Sequence, residues 1–232
     1  MGHSLTPRIL PALVPLTLPS DHFLCGLSGL ATPVKLELWS GTGKKGVAFD
    51  GSLLCTHFGL SGPVVLDMSR YFLEAQMDDA AATLTVNWLP TFTPETLDQT
   101  LLRASGLTLL RFLRDYLPER LARALADEAG LSVAMMIGQL TRPQRRTLTT
   151  ILTRLPLPIT GHRGFTVAEV TAGGIPLNEI HLNTMQSRLC PGFYLCGEIC
   201  DVDGRIGGYN FQWAWASGYT VGCAVGNKEV NH

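Results

Sequence analysis

Charge is scarce in this sequence: Asp, Glu, Lys and Arg make up 16 % of its 232 residues, against about 25 % in an average soluble protein. Hydrophobic residues reach 46 %, and the net charge is −1. A disordered chain needs low hydrophobicity and high charge, so this composition excludes one. Because no net positive charge attracts nucleic acid or an anionic membrane surface, we expect neither as a partner.

Several motifs are missing as well. There is no Walker A motif and no GxGxxG that opens a helix, so no motif predicts a phosphate-binding loop. Prolines interrupt the apolar stretch that follows Gly2-His3-Ser4, which argues against a signal-peptide helix. We therefore predict a cytoplasmic protein.

The cysteines are six in number, irregularly spaced and without a CxxC pair. In a cytoplasmic chain this predicts reduced thiols. Cys190, Cys196 and Cys200 could be considered as metal ligands. We favour small apolar thiols in a buried strand and predict no metal site.

Residues 1–90 are predicted to be mostly β-structure. Residues 34–39 alternate as a strand, and residues 82–89 do so again. Asp50-Gly51 is a strong short hairpin signal, which predicts two short strands around it. Ser61 is predicted to cap a helix that has Pro63 in its first turn.

Residues 91–155 are predicted to be helical, because leucines recur at three- and four-residue steps. Thr93 and Pro94 open the first helix, Gly106 and Pro118 divide the run, and a last helix starts near Arg142. Residues 101–163 hold ten arginines and four acids. Such a cluster could contact phosphates, but we favour a solvated arginine face beside a leucine core.

The remaining residues return to β-structure and end in a helix. Alternation predicts a strand over 165–170, and the apolar run 192–199 is typical of a strand buried on both faces of a parallel sheet. Residues 206–227 carry no charge and could span a bilayer. Their glycines and amides instead favour a helix buried on all sides in a soluble protein.

The C-terminal segment has the layout of a nucleotide-cofactor site. Glu198 ends the apolar strand, a glycine loop follows, and free N–H groups of residues 208–211 open the helix. Ligands of open α/β sheets bind at the carboxyl ends of such strands. Glycine loops before helices are common, so this layout alone does not identify a cofactor.

The sequence resembles the BaiN-like family of FAD-dependent oxidoreductases over essentially its whole length. The resemblance rests on the segments GHSLTPRILPALVPL, THFGLSGPVVL, TAGGI, TMQS with PGFYLCGE, and DVDGRIGGYNFQWAWASGY. It implies a mixed α+β and α/β fold, in which an inserted β-barrel and helical subdomain precede the C-terminal part of a Rossmann-type FAD-binding domain. The implied domains are residues 3–155, β-rich over 3–90 and helical over 91–155, and residues 156–232.

The opening βαβ unit of such a domain would precede Gly2. The resemblance thus implies the C-terminal portion of a longer flavoprotein, whether by natural truncation, an incomplete gene model or a cut polypeptide. We expect FAD as the cofactor and NAD(P)H as the reductant. This chain is expected to contact mainly the flavin end of FAD and not to retain the cofactor by itself. The implied cofactor-binding residues are Gly173, Gly174, Gly197, Glu198, Gly207, Gly208, Tyr209 and Asn210.

The implied activity is transfer of hydride to a small organic substrate, of which an unsaturated ketone is one example. The alternative is a non-catalytic module that binds a substrate or a protein and carries a vestigial flavin segment. The expected partners are the small substrate and either an N-terminal FAD-binding half or a second copy of the chain.

No catalytic residue is identified. Tyr209 could donate a proton to substrate, but stacking or packing is the favoured interpretation. His57 is expected to make a structural hydrogen bond. Trp213 and Trp215 are two residues apart, so on a helix they face different sides and are expected to serve packing.

Overall fold

The structure is a computed structural model that describes residues 1–229, with side chains through Gly226. It divides into two compact units. One is Pro15–His162, and the other joins Met1–Val14 to the residues from Arg163 onward. This division differs from the boundaries implied by the family resemblance, because the N-terminal segment belongs with the C-terminal residues.

The chain contains eleven strands and six α-helices in its described residues, and groups of strands alternate with helices. The strands are β1 (Leu10–Ala12), β2 (Leu16–Thr17), β3 (Ala31–Trp39), β4 (Lys45–Thr56), β5 (Gly59–Ser61), β6 (Thr83–Asn87), β7 (Leu155–Leu157), β8 (Gly161–His162), β9 (Val170–Ala172), β10 (Ile180–His181) and β11 (Gln186–Ser187). The helices are α1 (Pro63–Asp78), α2 (Pro94–Arg103), α3 (Leu109–Leu113), α4 (Glu119–Glu128), α5 (Arg142–Arg154) and α6 (Tyr209–Glu229).

The larger unit is built on a seven-stranded antiparallel sheet with the order β7-β6-β3-β4-β5-β2-β8. The predicted strand over 34–39 is confirmed within β3, where Val34, Leu36 and Leu38 point into the core. The β3–β4 hairpin turns at residues 40–44. Residues 41–46 match GxGxxG in letters, but they lead into strand β4, which begins at Lys45, and not into a helix, so they are not a dinucleotide fingerprint.

The predicted hairpin at Asp50-Gly51 is wrong, since β4 runs unbroken through both residues. Asp50 pairs with Lys35, and Gly51 pairs with Val34. The glycine serves close packing: a Cβ at Gly51 would lie 3.1 Å from the Cβ of Val64 in α1. The helix thus lies directly on the strand where the sequence suggested a turn.

This close approach predicts a stability effect. Gly51→Leu should destabilise the fold by about 1–3 kcal/mol, because overpacking forces side chains or backbone to shift. Ser52→Leu is the matched control, since Ser52 is exposed in the same strand. Thermal unfolding of both variants checks this, and equal melting temperatures would contradict the packing role of Gly51.

The start of α1 also differs from the prediction. Its N-cap is Gly62 with φ of 90°, and no side chain caps it. Ser61 ends β5 instead. A Cβ at Gly62 would lie 2.8 Å from the backbone of Ser52 and Leu54. The sharp passage from strand to helix therefore excludes the side-chain cap that the sequence indicated.

Helices α2 to α5 form a leucine core as predicted. Thr93 caps α2 and Thr141 caps α5, each through a capping box with a Pro in the first turn. The side chains of Leu97, Leu109, Leu121, Leu125, Leu148 and Leu152 are fully or nearly fully buried. Breaks fall between α2 and α3 and before α4, where Gly106 and Pro118 predicted them.

The smaller unit has short antiparallel ladders, β1 with β9 and β10 with β11. The predicted strand over 165–170 is wrong. The N–H groups of Val167 and Ala168 both donate to the carbonyl of Gly164, which makes a turn and leaves Phe165 exposed. Of the predicted segment, Val170 alone lies in a strand, where it pairs with Ala12 of β1.

The predicted buried strand over 192–199 is also wrong. One bridge joins Tyr194 to Gln186, and a 3₁₀ turn covers Gly197–Ile199. Gly192 and Gly197 take φ of 81° and 74°, which ends any extended run at both points. Leu195 still reaches the core of the unit.

Helix α6 buries one face and exposes the other, so the prediction of burial on all sides is wrong for the described unit. Trp213, Ser217 and Val221, four residues apart, face the core. Phe211, Trp215 and Tyr219 are 69 %, 70 % and 76 % exposed. The prediction that Trp213 and Trp215 face different sides is confirmed. No described helix is both long enough and apolar enough to cross a membrane.

Candidate functional site

A cavity of about 530 Å³ lies in the smaller unit beside the first turn of α6. This volume falls within the range of small-molecule sites. Of the eight predicted cofactor residues, the cavity brings together Glu198, Gly207, Gly208 and Asn210. Its other lining residues are Leu13, Glu169, Val170, Val202, Arg205, Ile206, Phe211, Trp213 and Ala214.

The first turn of α6 gives the cavity a positive pole. Gly207 and Gly208 precede the helix, which begins at Tyr209. The first N–H groups of a helix have no acceptor within it, and the helix dipole adds partial positive charge there. A Cβ at Gly208 would meet no atom within 4 Å, so the space beside this backbone is open. The turn can therefore receive an electron-rich group.

Two carboxylates and one guanidinium supply the charges of the cavity. Glu198 and Glu169 lie in its lining together with Arg205. Glu198 accepts a hydrogen bond from the backbone N–H of Thr171, which holds its carboxylate beside β9. Carboxylates accept hydrogen bonds from hydroxyl groups and repel phosphates. This set suits a hydroxylated, largely apolar ligand better than a phosphate.

Asn210 has a structural task in the glycine loop. Its Oδ1 accepts from the N–H of Gly204 at 2.8 Å, and its Nδ2 donates to the carbonyl of the same residue at 3.0 Å. The side-chain amide thus pairs with the backbone as a neighbouring strand would. Asn210 lines the cavity and at the same time holds the loop that forms its wall.

Gly197 is tied to α6 and does not line the cavity. Its N–H donates to Ser217 Oγ at 2.9 Å, and its carbonyl accepts from Trp213 Nε1 at 2.9 Å. Ser217 Oγ in turn donates to the carbonyl of Trp213 at 2.7 Å. This closed set of bonds sets the distance between Glu198 and the helix.

Gly173 and Gly174 lie outside the cavity lining, and protein contacts explain both. A Cβ at Gly173 would lie 2.2 Å from the carbonyl oxygen of Arg8. The N–H of Gly174 donates to Thr6 Oγ1, and its carbonyl accepts from the N–H of Thr6, both at 2.9 Å. These glycines allow the N-terminal segment to approach closely, and their contact with a flavin stays a prediction.

Tyr209 is 65 % exposed and is not among the lining residues. Core packing is therefore not its role in the described unit, while stacking and proton donation both stay open. His57 belongs to the larger unit, where it is exposed in the turn between β4 and β5 with its ring edge-on to Phe58. Its predicted structural hydrogen bond stays a prediction.

Sequence reasoning missed the role of His3. Its Nδ1 lies 2.7 Å from Glu179 Oε2, and its Nε2 lies 2.8 Å from Ser187 Oγ. The order Ser–His–Glu is that of a hydrolase triad, but Ser187 is 3 % exposed and accepts from two backbone N–H groups. The network therefore holds the N-terminus against the β10–β11 hairpin. Hydrogen bonds from Ser4 and then His3 lower the pKa of Glu179. In the sequence, the polar pair His3-Ser4 beside Gly2 is the signal that could have pointed to these contacts.

The cysteines form no metal centre in the described residues. Burial raises the pKa of Cys200 to about 11, and the neighbouring Cys196 makes a smaller contribution in the same direction. Burial likewise raises the pKa of Cys55 to about 11. Both thiols therefore stay protonated at neutral pH and act as apolar packing groups.

Two family models match this chain and identify its family. The model of the HI0933-like protein barrel and H2TH domain matches residues 10–170, and that of the HI0933-like protein Rossmann domain matches residues 126–224. The fold is thus a mixed α/β fold in which a barrel and helical domain is followed by part of a Rossmann domain. The chain belongs to the HI0933-like (BaiN-like) family, a family of flavoproteins, which confirms the resemblance and the predicted fold class.

Three curated relatives are oxidoreductases. Two are ribosomal RNA dihydrouridine synthases: the Escherichia coli protein is 37 % identical over 89 % of this chain and 50 % of its own length, and the Haemophilus influenzae protein is 32 % identical over 94 % and 52 %. The 3-dehydro-bile acid delta(4,6)-reductase of Clostridium scindens is 31 % identical over 98 % and 56 %. The chain spans about half the length of these relatives.

Proposed function

We propose that this chain forms the flavin-facing part of an FAD-dependent reductase that takes hydride from NAD(P)H and reduces a carbon–carbon double bond conjugated to a carbonyl. The observation that carries this is the cavity where Glu198 and the glycine loop meet the first turn of α6. Reduction adds one hydride and one proton across the double bond, while NAD(P)H becomes NAD(P)⁺. An unsaturated ketone and the uracil ring both contain this conjugated unit. The names of the relatives describe one of each kind, since the synthases make dihydrouridine and the reductase acts on a 3-dehydro-bile acid.

The residues present fit the flavin end of the cofactor. Bound FAD would supply hydride transfer. Val170, Ile206 and Trp213 offer an apolar wall, and the carboxylate of Glu198 can accept from a ribityl or ribose hydroxyl. The first-turn N–H groups of α6 favour partial negative charge on whatever occupies the cavity. The clamp between Asn210 and Gly204 keeps these N–H groups in place before the ligand arrives.

We also propose that the remainder of the Rossmann domain covers the exposed face of α6. A Rossmann domain needs a parallel sheet with helices on both of its faces. The described residues of the smaller unit supply short antiparallel ladders and a single parallel bridge, between Ile175 and Cys200. The curated relatives have about twice the length of this chain, which leaves room for such a segment.

Ligand binding to the chain tests the proposal. Riboflavin should bind saturably, FAD should bind no more tightly, and ADP should not bind, since the cavity suits the hydroxylated flavin end and its carboxylates disfavour phosphates. Because FAD gains no affinity from its phosphates here, the chain should not retain it through purification and should be nearly colourless. Quenching of flavin fluorescence measures the first two affinities, and calorimetry measures the third.

A matched pair of variants locates the binding. Ala214 lines the cavity and Ala216 is exposed on the same helix. Ala214→Leu should fill the space and weaken riboflavin binding on the order of tenfold, as expected for lost shape complementarity in a small site, while Ala216→Leu should not. The alternative of a non-catalytic module gains support if riboflavin fails to bind or if ADP binds equally well.

A further inference from the structure

A second concave surface lies in the larger unit, between α2 and α5. This groove has a volume of about 360 Å³. Its lining residues are Pro94, Glu95, Asp98, Arg142, Arg145, Arg146, Thr149 and Thr150. All of them come from the first turns of these two helices or the turns just after, and none belongs to the cavity described above.

Most arginines of the helical region are engaged by neighbours, as the favoured interpretation of a solvated arginine face requires. The contacts are Arg111 with Asp115, Arg114 and Arg123 with Glu119, Arg145 with Asp98, Arg120 with the carbonyl of Gly26, and Arg154 over the ring of Trp39. Their charges are locally balanced or held against the protein.

Arg142 and Arg146 differ from these. Both are exposed on α5 and line the groove. Neither has an ion pair or a hydrogen bond from its side chain to another residue in the described part of the chain. They are four residues apart, so their side chains stand on one face of the helix about one turn, or 5.4 Å, apart.

The acids in the groove leave a positive excess. Asp98 is engaged by Arg145 through a short hydrogen bond. Glu95 is fully exposed, and hydrogen bonds from its own backbone N–H and from Thr93 lower its pKa, so it is charged at neutral pH. Two guanidinium groups without an ion pair therefore share the groove with one carboxylate without an ion pair.

A buried hydroxyl in the same groove lacks a protein partner. Thr149 is 5 % exposed, and its Oγ1 makes no hydrogen bond within the described residues. A buried polar atom without a partner is unfavourable. The hydroxyl lies on the turn after Arg146, in the lining of the same groove.

We propose that this groove binds the phosphodiester backbone of RNA, with Arg142 and Arg146 on neighbouring phosphates. Arginine presents a planar fork of N–H donors that matches phosphate oxygens. The inference rests on the RNA form of the proposed function, in which the reduced base belongs to a polynucleotide. The expectation of no nucleic-acid partner used the net charge of −1, and a whole-chain average does not describe a local pair of arginines.

The test measures RNA binding by the full chain without flavin or NAD(P)H. Fluorescence anisotropy follows a short labelled single-stranded RNA over a series of salt concentrations. Arg142→Ala with Arg146→Ala should weaken binding on the order of tenfold and lower the slope of log K against log salt by about 1 for each lost phosphate contact. Glu95→Gln should strengthen binding, because it removes the opposing carboxylate.

The control changes the net charge equally. Arg111→Ala with Arg123→Ala removes two arginines that are paired with acids on the same helical region. If this control weakens binding as much as the groove variant does, or if the wild-type chain does not bind RNA at low salt, the proposal is overturned. Retained binding by the groove variant also overturns it. Because riboflavin binding is a separate assay, its failure would reject the proposed reductase and leave this result standing.

Discussion

The isolated chain is expected to self-associate in solution through the exposed face of α6. Phe211, Trp215 and Tyr219 form a continuous aromatic stripe, with the rings of Phe211 and Trp215 6.0 Å apart. Each aromatic side chain can bury about 150–250 Å². A patch of several hundred Å² normally marks an interface or promotes aggregation. Light scattering over a concentration series and binding of a hydrophobic dye measure this.

Two tryptophans on the same helix provide a matched comparison. Trp215→Glu should reduce self-association and dye binding with little change in melting temperature, because its ring is 70 % exposed. Trp213→Glu should lower the melting temperature instead. This change removes core contacts and the hydrogen bond to the Gly197 carbonyl. Because Trp213 is partly buried, the expected loss of stability is up to about 3 kcal/mol, the lower end of the cost for a buried aromatic side chain.

Adding the other half of the Rossmann domain in trans should restore solubility and tight binding of FAD together. This follows if that half is the natural cover of the stripe. A clean monomer at high concentration with little dye bound would contradict both statements, since the stripe would then need no cover.

The sequence predicted the elements whose signals are local. The helix start at Thr93 and Pro94, the helix start near Arg142 and the alternation of β3 depend on neighbours within a few residues, and the structure confirms them. Asp50-Gly51 failed because the reason for the glycine lies in α1, which comes later in the chain. Local rules cannot see a helix that lies on a strand.

The candidate site shows the same limit. Glycines and a glutamate before a helix predicted a cofactor-facing loop, and Glu198, Gly207, Gly208 and Asn210 do line one cavity. Gly173 and Gly174 have instead a close contact with residues 6–9, which nothing near them in the sequence announces. The part played by His3 depends on Glu179 and Ser187, more than 170 residues away. Long-range pairing of this kind has no periodic signature.

The position of the domain boundary leads to the second large expected effect. A fragment of residues 15–162 should unfold in a single cooperative thermal transition, whereas a fragment of residues 3–155 should be markedly less stable. The fragment that ends at residue 162 retains the pairing of β7 with β6 and that of β8 with β2. Ending at residue 155 removes most of β7, including Leu157, which is 4 % exposed. Loss of one such leucine costs about 2–5 kcal/mol.

The two fragments also differ at their N-termini. Residues 3–14 contain β1, whose partner is β9, and His3, whose partners are Glu179 and Ser187. In the 3–155 fragment these partners are absent, so Leu10 and Val14 lose the burial that they have in the full chain.

A third fragment, residues 15–155, separates the two effects: if the C-terminal strands matter most, it should melt near the 3–155 fragment. Calorimetry or circular dichroism gives the three transitions. Equal melting temperatures for 3–155 and 15–162 would favour the boundary at residue 155 and reject the division into Pro15–His162 as a folding unit.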